Sequence, residues 1–152
     1  MERSDKQDET TSEIIRLQRT VKELTDAIQS DPGDVKAYYN RGVAHGQLVE
    51  PLAAIRDFTQ VIGLDPNNGE AYYNRGLSYI HMKEQLAAVE DFNQTIRLTP
   101  HHADAFNNRA AALYDLGRSE HALRDANQAI KLNDQLSSAY AVRALAHAQL
   151  GH

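Results

Sequence analysis

The chain has 152 residues, enough for one compact domain or one short repeat array. A formal net charge of −5 argues against a general nucleic-acid binder and against an electrostatic grip on anionic membranes. Cysteine is absent, which excludes disulfides and thiolate metal sites, and a hydrophobic fraction of 41% is enough to build a core.

Residues 1–11 are almost entirely polar and read as a flexible tail. They lack the apolar centre of a signal peptide, and no apolar run in the chain approaches membrane-spanning length. The expectation is a soluble, cytoplasmic protein. Ser12-Glu13-Ile14-Ile15 reads as a helix entry with Ser12 at the N-cap. Ile14, Leu17, Val21, Leu24 and Ile28 then recur at three- and four-residue steps, an amphipathic stripe that Asp31-Pro32-Gly33 ends. Residues 12–34 therefore predict a single helix.

From here a phrase repeats. Ala37-Tyr38-Tyr39-Asn40-Arg41-Gly42 returns 34 residues later as Ala71-Tyr72-Tyr73-Asn74-Arg75-Gly76. It returns again as Ala105-Phe106-Asn107-Asn108-Arg109-Ala110, and weakened as Ala139-Tyr140-Ala141-Val142-Arg143-Ala144. Residues 35–68, 69–102 and 103–136 each predict a helix, a tight turn and a second helix. Pro51 suits the first turn of a second helix, and Pro66, Pro100 and Asn133-Asp134 close the units. Residues 137–152 predict one further helix. Gly42, Gly76 and Ala110 allow close approach to Ala54, Ala88 and Ala122 on the partner helices, with Tyr and Phe filling the remaining space. Each hairpin alone leaves an apolar face bare, and stacking buries it.

The pattern resembles the tetratricopeptide repeat. Tyr38, Gly42, Ala54, Phe58, Val61 and Pro66 stand where that family places an aromatic, a small residue, a second small residue, an aromatic, Ala and Pro. The next unit gives Tyr72, Gly76, Ala88, Phe92, Thr95 and Pro100; the third gives Phe106, Ala110, Ala122, Ala126 and Ala129, with Asp134 replacing Pro. The resemblance implies an all-α fold, a right-handed α–α superhelix or solenoid of three full repeats with half a repeat at each end. Val49 and Lys83 stand where the family often has a turn glycine; a left-handed conformation is costly for Val, so differently shaped turns are expected there.

The family's concave groove would be lined by Lys36, Tyr39, Asn40, Val43 and Gln47, then Glu70, Tyr73, Asn74, Leu77 and His81, then Asp104, Asn107, Asn108, Ala111 and Asp115. A carboxamide offers both donors and an acceptor, so the row Asn40, Asn74, Asn108 would pair with an extended peptide backbone, and tyrosines add flat amphipathic area. The alternative is that these amides bond within the array. The chaperone-binding members grip a C-terminal carboxylate with Lys, Asn and Arg at places that here hold Tyr39, Val43, Asn74, Asp104 and Asn108. Only Asn74 matches and Asp104 would repel a carboxylate, which argues against that clamp.

Arg41, Arg75, Arg109 and Arg143 occupy position 7 of the 34-residue unit; Asp57, Asp91 and Asp125 occupy position 23. Both lie eight residues from the hairpin turn, so they are expected to face each other as partly buried pairs rather than form a ligand-binding arginine row. His45 and His147 fall at a packing position, and His101-His102 alone is a weak metal signal. No phosphate loop, HExxH or nucleophile elbow is present, so neither catalysis nor a cofactor is expected. The leading expectation is a protein–protein interaction module or scaffold that binds a peptide or partner helix in the groove. The alternative is self-association through residues 137–152 and 12–30, whose helices keep interior-type faces.

Overall fold

The computed structural model describes the backbone of residues 2–151 and the side chains of residues 10–151. Among the described residues there are eight helices and no strand. They are α1 (Glu2–Ser30), α2 (Val35–Gln47), α3 (Pro51–Leu64), α4 (Gly69–His81), α5 (Gln85–Leu98), α6 (Ala103–Asp115), α7 (Ser119–Leu132) and α8 (Ser137–Leu150). Contacts divide the chain into two compact units, Met1–Pro66 and Asn67–His152. In the first, α2 packs on α3 and on α1. In the second, α4 packs on α5, α6 on α7 and on α5, and α8 lies against α7 and α6.

Helix starts follow a column at 34-residue spacing. The side chains of Asp34, Asn68 and His102 accept hydrogen bonds from the backbone N–H of Ala37 (2.9 Å), Ala71 (3.0 Å) and Ala105 (3.2 Å). Each satisfies one of the orphan donors of a first helical turn. Leu136 holds the fourth such place and makes no side-chain cap. Ser12 is not a cap: it lies inside α1, because nothing in the preceding sequence is a Gly or Pro that would stop a helix. The flexible tail expected over residues 1–11 falls, up to residue 9, outside the residues whose side chains are described.

The hairpin turns correct a second expectation. Val49 and Lys83 do adopt left-handed conformations, at φ 57° and 60°, alongside Gly117 at φ 72°. The helix ends impose it. In each turn one N–H reaches back five residues, Glu50 to His45 O (2.9 Å), Glu84 to Tyr79 O (2.9 Å) and Arg118 to Leu113 O (2.8 Å). The preceding N–H reaches back three, from Val49, Lys83 and Gly117 to Gly46 O, Ile80 O and Tyr114 O. This is the Schellman arrangement, which needs a left-handed residue at the place Val49 fills. A β-branched residue there stores strain of order 1–3 kcal/mol. Val49 is also 72% exposed, so truncation forfeits little burial. Val49→Gly is therefore expected to stabilise the first unit by about 1 kcal/mol, the relief of strain less the entropy cost of glycine. A denaturation midpoint unchanged or lowered in this variant would contradict the assignment.

The core is built from small residues facing rings. A Cβ at Gly42 would lie 2.9 Å from Cε1 of Phe58, and one at Gly76 would lie 2.8 Å from Cε1 of Phe92. The rings therefore occupy space that only glycine leaves open. Where Ala110 replaces glycine, Ala126 replaces the phenylalanine. Size at one position is thus matched to size at the other within the chain itself.

Candidate functional site

Three of the four row arginines are absorbed by the fold. Arg41 donates to Asp57 through Nε (2.9 Å) and Nη2 (2.7 Å). Arg75 donates to Asp91 in the same way at 2.8 and 2.8 Å, and Arg109 to Asp125 at 2.7 and 2.8 Å. These are bidentate fork-to-carboxylate pairs, and all three aspartates are buried. Each guanidinium also lies over the aromatic ring three residues earlier, at 5.6 Å for Tyr38, 5.7 Å for Tyr72 and 5.5 Å for Phe106. A third arm reaches the preceding helix: Nη1 of Arg41 donates to Oγ1 of Thr25 (3.0 Å), and Nη1 of Arg109 to Oδ1 of Asn93 (2.7 Å). Burial pushes the Asp91 carboxyl up and the Arg75 guanidinium pulls it down, while Asp91 holds Arg75 above its ordinary value.

The expected groove residues divide between the units. In the first, Lys36, Asn40 and Gln47 are exposed, and Val43 and Tyr39 are half-buried. Tyr39 packs edge-on to Phe58, with centroids 5.8 Å apart. Gln47 lines a cleft of about 640 Å³ between Thr10–Gln18 of α1 and the turn Leu48–Glu50.

In the second unit, α4 and α6 bring a polar cluster together. Nδ2 of Asn108 donates to the Tyr73 hydroxyl at 3.0 Å, across 35 residues of sequence. The Tyr73 ring lies 4.5 Å from the His102 ring and 5.9 Å from Phe92. His102, whose Nδ1 caps α6, places Nε2 at 3.6 Å from Oε1 of Glu70. Burial first, then the charges of Asp104 and Glu70, push the Tyr73 phenol up, against the pull of Asn108. Asn74 donates from Nδ2 to the carbonyl of Glu70 in its own helix (2.9 Å). Asn107 is 7% exposed; its Nδ2 donates to Oδ1 of Asn108 (3.3 Å), and its own Oδ1 is buried with no partner. Leu77 is half-buried and His81 exposed. Ala111 packs against the cluster of Ala110, Ala126 and Val142.

Sequence reasoning missed His102 as a cap and the Tyr73–Asn108 bond. The first was available in the column Asp34, Asn68, His102; the second joins different repeat positions and left no periodic trace. Of the histidines expected at a packing position, His45 is half-buried, with Nδ1 at 2.6 Å from Oε2 of Glu50, whereas His147 is exposed because no later helix covers that face of α8 among the described residues. Among the described residues no three His, Asp or Glu side chains are arranged to hold a metal ion, and no helix is long and apolar enough to cross a membrane.

Tetratricopeptide-repeat family models match residues 35–68, 69–102 and 86–137, more than half of the chain in sum. The chain belongs to the tetratricopeptide-repeat family. Its fold class is the expected one, an all-α array of helix–turn–helix repeats. Solved structures agree. A crystal structure of MamA aligns with a TM-score of 0.87 at 22% identity, covering 95% of this chain and 78% of MamA. The first such domain of Spaghetti (RPAP3), bound to the HSP90 peptide SRMEEVD, gives 0.75 at 22% identity, covering 78% of this chain and 94% of that one. The second domain of human RPAP3, in complex with the HSP70 peptide SGPTIEEVD, gives 0.69 at 24% identity, covering 72% and 91%. No curated protein sequence matches the chain.

Proposed function

We infer that this tetratricopeptide chain is a protein-interaction module, and that the α4–α6 face of the second unit takes an extended peptide segment. The observation that carries this reading is Asn107. A buried carbonyl oxygen without a donor is costly, and native structures seldom leave one unmet. The Asn107 amide is held by a single bond to Asn108, and its terminal torsion is soft, so Oδ1 can turn to meet a peptide N–H. Asn108 and Tyr73, fixed to each other, supply the adjoining polar and flat surface.

Charge selects the class of peptide. Glu70 and Asp104 stand beside Tyr73 closely enough to disfavour its ionisation. The structural neighbours hold peptides ending in EEVD, but an acidic terminus would meet Asp104 here. The reading is therefore of a basic or neutral segment, bound through its backbone rather than through a terminal carboxylate. In the first unit Lys36 and Asn40 are exposed, but the reading rests on the second unit.

A displayed library of linear peptides tests it. Enrichment of Lys- and Arg-containing peptides is expected, with binding that weakens as salt rises. Asn107→Ala and Asn108→Ala should each weaken the selected peptide about tenfold, the equivalent of 1.4 kcal/mol, with helix content retained. Binding by both variants as tight as by the parent, or enrichment of acidic peptides, would overturn the reading.

A further inference from the structure

Three of the four position-7 arginines have a carboxylate on the second helix of their own hairpin; Arg143 on α8 has none among the described residues. Its guanidinium lies over the Tyr140 ring at 5.0 Å, as its counterparts lie over theirs, so it already holds the orientation of a paired arginine. The face around it is also bare. Ala144 is exposed, whereas Gly42, Gly76 and Ala110 at the same position are buried; Tyr140 and Leu145 are exposed as well.

The complementary deficit lies on α1. Counted in the 34-residue unit, Thr20, Glu23, Leu24 and Ala27 hold the positions of Ala54, Asp57, Phe58 and Val61 in α3. Those four α3 residues are buried, as are their equivalents in α5 and α7. On α1, Thr20, Leu24 and Ala27 are only half-buried. Glu23 is 68% exposed, and among the described residues its ion pair is a loose contact of 3.6 Å with Arg19 on its own helix. So α1 carries the carboxylate side of a hairpin interface without its arginine, and α8 carries the arginine side without its carboxylate.

We propose that α8 of one copy docks on α1 of a second copy, Arg143 pairing with Glu23 and Ala144 packing on Leu24, so that the chain associates head to tail. Size matching favours the second contact. Glycine in this position faces a phenylalanine ring and alanine faces a smaller side chain, and Ala144 opposite Leu24 keeps that order. Opposite charge brings the two faces together and penalises α8 against α8, where two arginines would meet. The contact is heterologous, so each docked copy leaves one of each face free and growth continues beyond two unless a ring closes. It shares no residue with the Tyr73, Asn107 and Asn108 cluster of α4 and α6.

Light scattering on a sizing column across a concentration series tests the proposal. Average mass is expected to climb from the 17.0 kDa of one copy through and past the mass of two. Arg143→Glu alone and Glu23→Arg alone should each hold the mass at one copy. The two variants mixed should associate in alternation, since both contacts between unlike copies then join opposite charges. The chain carrying both changes should associate again. Arg143 and Glu23 are exposed or half-exposed, and helix content by circular dichroism confirms that each variant folds. A constant single-copy mass, a plateau at two copies indifferent to Glu23→Arg, or failure of the double exchange to restore association would each overturn the proposal.

Discussion

Replacing Arg75 by alanine is expected to destabilise the second unit by about 3–5 kcal/mol, the cost of stranding a buried carboxylate. Asp91 would lose both of its guanidinium bonds, at 2.8 and 2.8 Å, in a place that water barely reaches. The ring of Tyr72 would lose its overlying cation as well. The pair itself contributes far less, because bringing two charges out of water offsets most of their attraction. Arg75→Leu combined with Asp91→Leu should consequently restore most of the loss, giving a stability close to that of the parent. Urea denaturation of the single and double variants measures the contrast. Equal stabilities for Arg75→Ala and the double leucine variant would mean that Asp91 finds another partner or reaches solvent.

Phe92→Ala is expected to cost the same unit about 3–5 kcal/mol, since it empties a site in which the ring is fully buried. Gly76→Ala should cost about 1–3 kcal/mol by the opposite route, overpacking. Its new methyl would stand 2.8 Å from Cε1 of the fully buried ring, which also meets the Tyr73 ring at 5.9 Å between centroids. Made together, the two changes recreate the Ala110–Ala126 pairing already present in the chain. The double variant should then lose clearly less than the sum of the two singles, because the methyl enters the space the ring has left. Melts of the four proteins in a double-mutant cycle read the coupling. Strict additivity would show that glycine at this position serves something other than the ring.

The parts of the fold that depend on spacing alone could be read from the residues. Arg41 and Asp57 lie 16 residues apart around a turn, and that count alone sets them face to face. The 34-residue recurrence did the same for the helices. What escaped were features decided by tertiary demand. Val49 has an intrinsic aversion to the left-handed region, yet two carbonyls at the end of α2 need donors there, and their demand prevails. Ser12 has a capping side chain, but it lies ten residues inside a helix that nothing interrupts. At the candidate site, the amide row was legible as chemistry but not as bonding. Asn74 turns to its own helix, Asn108 crosses to Tyr73, and Asn107 is buried where Tyr39 and Tyr73 stand in the other repeats. Which partner an amide selects depends on distances of a few ångströms that periodicity does not encode.

The third arm of the guanidinium bears on how such a chain comes apart. In a stacked array, loss of one hairpin and loss of its neighbour are separate events, joined only by the energy of the surface between them. Arg109 ties Asp125 of its own hairpin to Asn93 of the one before, and Arg41 likewise ties Asp57 to Thr25 on α1. Opening either hairpin therefore disturbs a polar centre that the adjoining helix shares. Amide hydrogens of α5, α6 and α7 would then exchange with solvent as one block rather than fray in sequence from an end, and α2, α3 and α1 as another. In these two hairpins the charge that fixes the fold would also make melting a collective event.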